Sequence, residues 1–191
     1  MATLIIGLGN RGGEYARTRH NVGWMCLDEL ERRGRFSRER RDGPAKVREG
    51  SLDGFDVVTA RPQTYMNLSG RAGVHLTQKL GIPSSDVIVV HDDADLPLGR
   101  LRLRRGGRAG GQKGVQSLID SWRSQDFVRV RMGIGRPAGD TDLVDHVLDG
   151  FDRDERATAQ GMVVRAADAV VAIIRDGLEQ AMTTFNRAEA G

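Results

Sequence analysis

Residues 87–93 read VIVVHDD: four β-branched apolar residues, then a histidine and two aspartates. A short apolar run bounded by polar residues predicts a strand that is buried in the core. The stretch TLIIGL at 3–8 has the same character and ends at a glycine, and another strand is expected over residues 56–60. We therefore expect these three runs to be the buried strands of the fold.

Helical patterns separate the predicted strands. Helices are expected over residues 22–33, 70–80, 115–122 and 153–175, with a last one over 177–187. Gly81 and Pro83 mark the end of the second helix. The alternation of strands and helices predicts a single α/β domain over residues 1–191, with a twisted, mixed but mostly parallel sheet that is packed by helices.

Two further stretches alternate apolar and basic residues, as strands with two different faces do. They are RLRLRR at 100–105 and VRVRMGIG at 128–135. The segment 34–50 is polar and basic, and we expect it to be a loop or a mobile excursion.

The composition is that of a globular protein, with 39% hydrophobic and 29% charged residues. No apolar run reaches the roughly 20 residues that span a bilayer. The N-terminal MATLIIGLGN lacks the basic region and the long apolar stretch of a signal peptide. Cys26 is the single cysteine, and its apolar helical setting predicts a small buried side chain rather than a reactive thiol. These features predict a reducing, cytoplasmic location.

Basic residues are clustered, although the formal net charge is only +3. The stretch 96–116 contains no acid and six basic residues: Arg100, Arg102, Arg104, Arg105, Arg108 and Lys113. A second basic stretch, 32–48, is broken by Glu39 and Asp42. Such clusters are typical of a surface that binds phosphates, and also of an ordinary solvated surface. Charge alone leaves RNA binding open.

Asn10, Asn67 and Asp92 are expected to meet at one crevice. Ligands on sheets of this class usually bind beyond the carboxyl ends of the strands. His20, in the polar stretch NRGGEYARTRHNVG at 10–23, is a candidate base because an imidazole titrates near neutrality and can take a proton from water. The other histidines are expected to be structural or surface groups: His75, His91 and His146.

The clustered carboxylates of Asp92, Asp93 and Asp95 have three interpretations. They could bind a divalent metal, orient a histidine and stabilise its charge, or cap the turn that follows. The turn chemistry of DLPLG favours capping for Asp95. Ser69 begins a predicted helix, and capping is its expected role as well.

The segment GLGNRG at 7–12 satisfies the spacing of a dinucleotide fingerprint. The residues after it do not open an apolar helix, and no acidic residue ends a clear second strand about 20 residues on. A nucleotide-dependent α/β enzyme is therefore the weaker interpretation.

Five segments together resemble bacterial peptidyl-tRNA hydrolases. They are GLGNRGGEYARTRHNVG at 7–23, TYMNLSG at 64–70, HDDADLPLG at 91–99, GGRAGGQKG at 106–114 and RVRMGIGRP at 129–137. Their order and spacing also match, over about residues 3–187. The resemblance implies a monomeric enzyme that hydrolyses the ester between an N-blocked aminoacyl or peptidyl group and the 3′ end of tRNA. It implies no cofactor, no metal, no membrane and no obligatory protein partner.

The resemblance also implies roles for matching positions. His20 is expected to be the catalytic base, and Asp92 the carboxylate that orients and polarises it. Asn10 and Asn67 are expected to hold the peptide part and the region of the 3′-terminal adenosine. We therefore expect Asn10 to be a catalytic residue together with His20 and Asp92.

The other implied residues bind the substrate. Met66 is expected to form an apolar wall of the crevice, and Tyr15 to line the same channel. Arg104 and Arg131 fall where the family has a basic clamp for the tRNA 5′ phosphate. Phosphate contacts position a nucleic acid without reading its bases, so indifference to most tRNA sequences would follow.

The glycine-rich loop departs from the family pattern. Where members commonly read GGHNG, this chain reads GGQKG, with Gln112 and Lys113 in place of the histidine and asparagine. A charged lysine cannot accept a hydrogen bond, so Lys113 could instead contact a phosphate or the developing oxyanion. A non-catalytic RNA-binding protein on the same scaffold stays the alternative, against which the retained His20 and Asp92 argue.

Overall fold

One eight-stranded sheet forms the centre of the computed structural model, which describes residues 1–187. The strands are β1 (Thr3–Gly7), β2 (Arg35–Phe36), β3 (Arg40–Asp42), β4 (Ala45–Leu52), β5 (Phe55–Pro62), β6 (Ile88–Asp93), β7 (Leu101–Arg105) and β8 (Val128–Gly133). The helices are α1 (Val22–Arg33), α2 (Gly70–Leu80), α3 (Lys113–Trp122), α4 (Leu143–Val147), α5 (Arg156–Asp176) and α6 (Leu178–Phe185). The part of the predicted domain after residue 187 lies outside the described residues.

The sheet is mixed, as predicted, and its parallel part is central. Its order is β2-β4-β5-β1-β6-β8-β7, with β3 also paired to β4. Strands β5, β1, β6 and β8 run parallel to one another. The strands outside them pair antiparallel. The carboxyl ends of the four central strands therefore share one edge, where a ligand is expected.

The expectation of a loop over residues 34–50 is wrong. This segment forms β2, β3 and most of β4, and β4 pairs with β5 from Ala45 opposite Pro62 to Leu52 opposite Phe55. Ala45 and Val47 point into the core while their neighbours remain outside, because side chains alternate along a strand. The charged residues belong to the solvated side of an edge ribbon, which is why the composition looks loop-like.

Both faces of the sheet are covered. Ile5 of β1 packs in a core with residues of α1, α5 and α6, whereas Leu4 and Ile6 pack on the other side with α2 and α3. Complete burial of one such side chain stabilises the fold by roughly 1.5–3 kcal/mol. Among the described helices, α5 is long and apolar enough to cross a membrane by length and composition alone. One side of it lies in this protein core, with Met162 and Ala166 fully buried.

The predicted helix limits hold where the sequence contains a strong stop. Helix α2 ends at Gly81, whose φ of 64° is left-handed, a conformation that glycine adopts without the penalty of a Cβ. Helix α1 covers the predicted residues 22–33. Helix α4, over 143–147, was not predicted, because five residues are too few to establish a helical period.

Candidate active site

A cavity of about 320 Å³ opens at the carboxyl edge of the parallel strands. It brings together residues that are far apart in the sequence: Asn10, His20, Tyr65, Met66, Asn67, Asp92, Asp93, Ala94, Gly110, Gly111, Gln112, Lys113, Leu143, Val144, Val147 and Leu148. The expected meeting of Asn10, Asn67 and Asp92 is therefore present, and His20 lies with them.

His20 and Asp92 are in direct contact inside this cavity. Their Nδ1 and Oδ2 atoms are 2.8 Å apart, although 72 residues separate them in sequence. His20 sits on a 3₁₀ turn, Arg19–Asn21, directly before α1. A Cβ at Gly23 would lie 2.5 Å from the carbonyl oxygen of Val90, so glycine allows the start of α1 to come this close to β6.

This contact determines which ring nitrogen of His20 can accept a proton. A carboxylate offers only acceptor atoms, so the Nδ1 atom that faces Asp92 carries the hydrogen and donates it. The lone pair of the neutral ring is then on Nε2. Asp92 is 3% exposed and His20 8%, and Coulombic attraction between them is therefore weakly screened if the ring becomes protonated.

The side chain of Asn21 holds the loop that follows β1. Its Oδ1 accepts from the backbone N–H of Asn10 at 2.8 Å, and its Nδ2 donates to the carbonyl of Asn10 at 3.0 Å. Two reciprocal bonds fix the position of Asn10 beside His20. Sequence reasoning missed Asn21, and its only indication was that it follows His20 in the chain.

Arg19 holds the other side of the same turn. Its guanidinium donates to the carbonyl of His146 at 3.1 Å and to Oε1 of Glu155 at 2.9 Å. These contacts connect the turn that carries His20 to the chain on both sides of residue 150. They were not predicted, since nothing local in TRHN indicates partners more than 120 residues away.

One wall of the cavity is apolar. Met66 is buried beside Gln112, as its expected place in the wall requires. Tyr65 is 79% exposed at the opening. The other apolar lining residues are Ala94 and four from α4 and the residue after it: Leu143, Val144, Val147 and Leu148. Tyr15, expected to line the channel, lies on a neighbouring 3₁₀ turn and does not belong to the cavity lining in the described structure.

A basic cleft adjoins this cavity and shares Asp93 and Gly110 with it. Its volume is about 410 Å³, and its basic lining consists of His91, Arg104, Arg108, Arg129 and Arg131. Arg104 and Arg131 thus come together in a cleft next to the cavity that holds His20 and Asp92. Strands β6, β7 and β8 set the spacing of the basic cleft and the cavity.

Arg129 anchors the glycine-rich loop. Its guanidinium donates to the carbonyl of Arg108 at 2.6 Å and to that of Gly107. Burial, together with the nearby charges of Arg104 and Arg131, lowers the pKa of Arg129 to about 10, so it stays charged at neutral pH. Arg129 of β8 therefore holds in place the loop that leads to Gln112.

Each aspartate at the end of β6 or just beyond it has its own partner. Asp92 contacts His20, Asp93 accepts from Arg131 Nε at 2.7 Å, and Asp95 pairs with Arg136. Within the described residues, no group of three or more His, Cys, Asp or Glu is placed to hold a metal ion. The expected capping role of Asp95 is wrong: Asp93 Oδ1 accepts from the N–H of Asp95 instead.

Two other local expectations have different outcomes. Ser69 does not cap α2, because its backbone is already helical and its hydroxyl donates to the carbonyl of Met66 at 2.7 Å. His91 is a buried, hydrogen-bonded core group, as expected. Its Nδ1 donates to the carbonyl of Asp92 at 2.8 Å, and burial lowers its pKa.

Comparison with known proteins identifies the family of this chain. The family model described as peptidyl-tRNA hydrolase matches residues 4–191. The chain belongs to the peptidyl-tRNA hydrolase family. It is a hydrolase, and its reaction is the hydrolysis of peptidyl-tRNA. The nucleotide-dependent alternative and the non-catalytic RNA-binding alternative are accordingly not favoured.

Bacterial peptidyl-tRNA hydrolases resemble the whole chain. The one from Dehalococcoides mccartyi is 42% identical over 96% of this chain and 98% of its own length. The one from Nocardia farcinica is 46% identical over 96% and 95%. A crystal structure of peptidyl-tRNA hydrolase from Acinetobacter baumannii matches with a TM-score of 0.90 at 32% identity, covering 97% of this chain and 94% of that one. The fold prediction is thus confirmed.

The GGQKG loop contributes two side chains to the cavity, Gln112 and Lys113. Gln112 is buried, and its amide contacts Asp92. Lys113 is exposed at the first position of α3 and lines the cavity. Sequence reasoning noticed both substitutions but did not identify the partner of Gln112, which lies 20 residues earlier in the chain.

Proposed function

We propose that His20 is the general base of peptidyl-tRNA hydrolysis and that Asp92 orients it. The observation that carries this proposal is the 2.8 Å contact of His20 Nδ1 with Asp92 Oδ2 in a cavity beside a basic cleft. A base held by a carboxylate can accept a proton on its far nitrogen, and general acid–base help of this kind is worth about 10²–10⁴-fold in rate.

The reaction proceeds in two steps. Water attacks the carbonyl carbon of the ester while its proton passes to Nε2 of His20, and Asp92 stabilises the resulting imidazolium. The tetrahedral intermediate then breaks its bond to the ribose oxygen, and Nε2 returns the proton to that oxygen. The products are a peptide with a free carboxyl group and a tRNA with a free 3′-terminal hydroxyl.

Hydrogen-bond donors are needed to stabilise the negative charge that develops on the carbonyl oxygen of the ester. Asn10, Asn67 and Lys113 line the cavity and can supply amide or ammonium hydrogens. One well-placed donor to such an oxyanion is typically worth about 10²–10³ in kcat. Asn10 and Asn67 also suit the peptide bonds of an N-blocked substrate, because an amide donates and accepts at the same time.

The basic cleft and the cavity bind different parts of the substrate. Arg104 and Arg131 hold the 5′ phosphate of the acceptor stem in the basic cleft, where Arg129 adds positive charge. Met66 and the apolar residues of α4 face the aminoacyl or peptidyl part. Tyr15 lies outside the cavity, and we assign it a contact with the substrate beyond the opening.

We further propose that the enzyme acts as a cytoplasmic monomer. A single chain supplies both walls of the cavity and the adjoining basic cleft. Sedimentation of the purified protein, alone and with tRNA, tests this assignment: a species of one chain supports it, and a stable dimer contradicts it.

The decisive experiment measures release of an N-acetyl-aminoacyl group from tRNA. His20→Asn should reduce kcat/KM by about 10²–10⁴-fold, while the affinity for deacylated tRNA and the thermal stability stay near their wild-type values. His75→Asn is the matched control, because His75 lies on α2 and does not line the cavity. Full turnover by His20→Asn would eliminate His20 as the base.

A further inference from the structure

The side-chain amide of Gln112 lies between the start of α3 and Asp92. Its Oε1 accepts from the backbone N–H of Val115 at 2.7 Å, and its Nε2 is 3.1 Å from Asp92 Oδ1. Gln112 is 8% exposed. One buried amide therefore makes a helix cap and a contact with the proposed catalytic carboxylate.

The backbone determines which way this amide points. The N–H of Val115 can only donate, so the amide atom that faces it is the oxygen. The NH₂ group must then face Asp92, where a carboxylate oxygen can only accept. This assignment does not depend on the protonation of any side chain.

Asp92 consequently receives one donor on each oxygen. Gln112 Nε2 donates to Oδ1, and His20 Nδ1 donates to Oδ2. Asp92 is 3% exposed, so water does not readily replace a missing donor, and a buried acceptor without a partner is unfavourable. With Oδ1 occupied by Gln112, the carboxylate keeps Oδ2 directed at His20.

We propose that Gln112 is a positioning residue that holds Asp92 for His20 through a donor without charge. The proposal rests on the catalytic roles assigned to His20 and Asp92 above. An amide does not titrate, so this donation persists across the pH range of activity. A histidine at this place would instead donate from a ring that changes its charge near neutrality.

Several charged groups surround the pair and must stay constant in any test. From β6, Asp93 is paired with Arg131 of β8, and His91 is buried beside Asp92. Lys113 lines the cavity from α3. Arg19, on the turn that carries His20, is paired with Glu155. A variant that alters only the group facing Oδ1 leaves these side chains in place.

Gln112→Glu is that variant. A carboxylate has the shape of the amide and can still accept from the N–H of Val115, but its second oxygen cannot donate when ionised. It also puts negative charge next to Asp92, and negative charge favours the protonated imidazole. The acid limb of the pH profile of kcat/KM should therefore move to higher pH by about one unit or more, with a lower kcat at neutral pH.

Gln116→Glu is the matched control. Gln116 lies on the same helix, and its Nε2 donates to Asp120 Oδ1 at 2.8 Å, but this contact is exposed. The same change of charge there should leave the pH profile as in the wild type. A Gln112→Glu profile that superimposes on that of Gln116→Glu overturns the proposal.

A second measurement covers the case in which Gln112→Glu is too slow to assay. Nitrogen-15 NMR of labelled histidine follows the titration of His20 directly in the folded protein. The titration should move in Gln112→Glu and not in Gln116→Glu. Gln112→Met, which removes the donor without adding charge, should lower kcat with little change in KM. If His20→Asn is inactive and neither Gln112 variant behaves as described, this inference fails and the proposed function stands.

Discussion

Arg131 Nε donates to Asp93 Oδ2 at 2.7 Å across the parallel pair of β6 and β8. Asp93 directly follows Asp92, and Arg131 lines the basic cleft together with Arg104. The ion pair between Arg131 and Asp93 therefore connects the proposed phosphate clamp to the residue that follows the proposed catalytic carboxylate. The two clamp arginines differ in this respect, and their variants should differ too.

Arg104→Gln should raise KM for peptidyl-tRNA and leave kcat within about twofold. Its side chain is on the exposed face of β7, so its removal takes away a phosphate contact without disturbing a buried partner. The dependence of log KM on log salt concentration should weaken by about 0.7–0.9 for one lost phosphate contact. Steady-state kinetics at several salt concentrations measure both effects, and a selective fall in kcat would contradict the clamp role.

Arg131→Gln should raise KM and lower kcat as well. Asp93 is 8% exposed and would lose its cationic partner, which leaves an uncompensated carboxylate beside Asp92. We expect kcat to fall about tenfold. The same kinetic assay applies, and an effect on KM alone would show that the ion pair is not needed to hold β6.

Stability should rise with pH until about pH 6.5. Burial lowers the pKa of His91, whereas an unfolded histidine protonates near 6.5. The unfolded chain therefore binds a proton first as pH falls, and the stability is full above about 6.5 and decreases below it, by up to roughly 1.4 kcal/mol per pH unit. Urea unfolding at several pH values should show a weaker slope for His91→Gln, and equal slopes would refute this assignment.

The stability of the edge ribbon, which β2, β3 and β4 form, should depend on Asp42. Hydrogen bonds from His75, Lys79 and Arg40 hold the pKa of Asp42 far below its usual range. Its stabilising effect is thus present above about pH 3.9, the value for an unfolded aspartate, and is lost as pH falls below it. Asp42→Asn should cost about 1–2 kcal/mol at pH 7, measured by urea unfolding.

Glu49→Gln is the control for that network. Glu49 also pairs with Arg40, at 2.6 Å, but its side chain is 59% exposed. An exposed pair is worth about 0–1 kcal/mol, so this variant should be close to the wild type. Equal losses for the two variants would mean that the buried position of Asp42 has no special importance.

Cys26 should resist alkylation in the native protein. Burial raises its pKa well above the ordinary value, and the thiolate is the nucleophilic form. Mass spectrometry after iodoacetamide treatment should show modification at least about 100-fold slower than in urea-unfolded protein, because the thiol is both buried and protonated. Comparable rates would indicate that α1 opens readily.

The sequence predicted the parts of this site that depend on regular geometry. VIVV at 87–90 and TLIIGL at 3–8 are apolar runs, and strands that run parallel bring their carboxyl ends to one edge, so the meeting of Asn10 and Asp92 could be foreseen. The resemblance added the roles expected of His20 and Asn67. The meeting of Asn10 and Asp92 needed only the direction of the strands, whereas the residue roles needed the resemblance.

The missed parts depend on contacts between distant side chains. The two bonds of Gln112 require Asp92 and Val115 at once, and Arg19 requires partners near residue 150. Neither arrangement produces a periodic pattern in the sequence. The loop prediction for residues 34–50 failed for another reason. An edge ribbon exposes charged side chains, and the alternation at Ala45 and Val47 is too short to indicate a strand.

The anchoring of the glycine-rich loop by Arg129 has a consequence during biosynthesis. A growing protein is itself esterified to tRNA, and this chain is no exception while it is made. The loop at 106–111 emerges before the strand that holds its carbonyls, and the apolar residues of α4 emerge later still. A nascent enzyme therefore has its histidine and aspartate early but lacks the supported pocket until more than two thirds of the polypeptide has been translated.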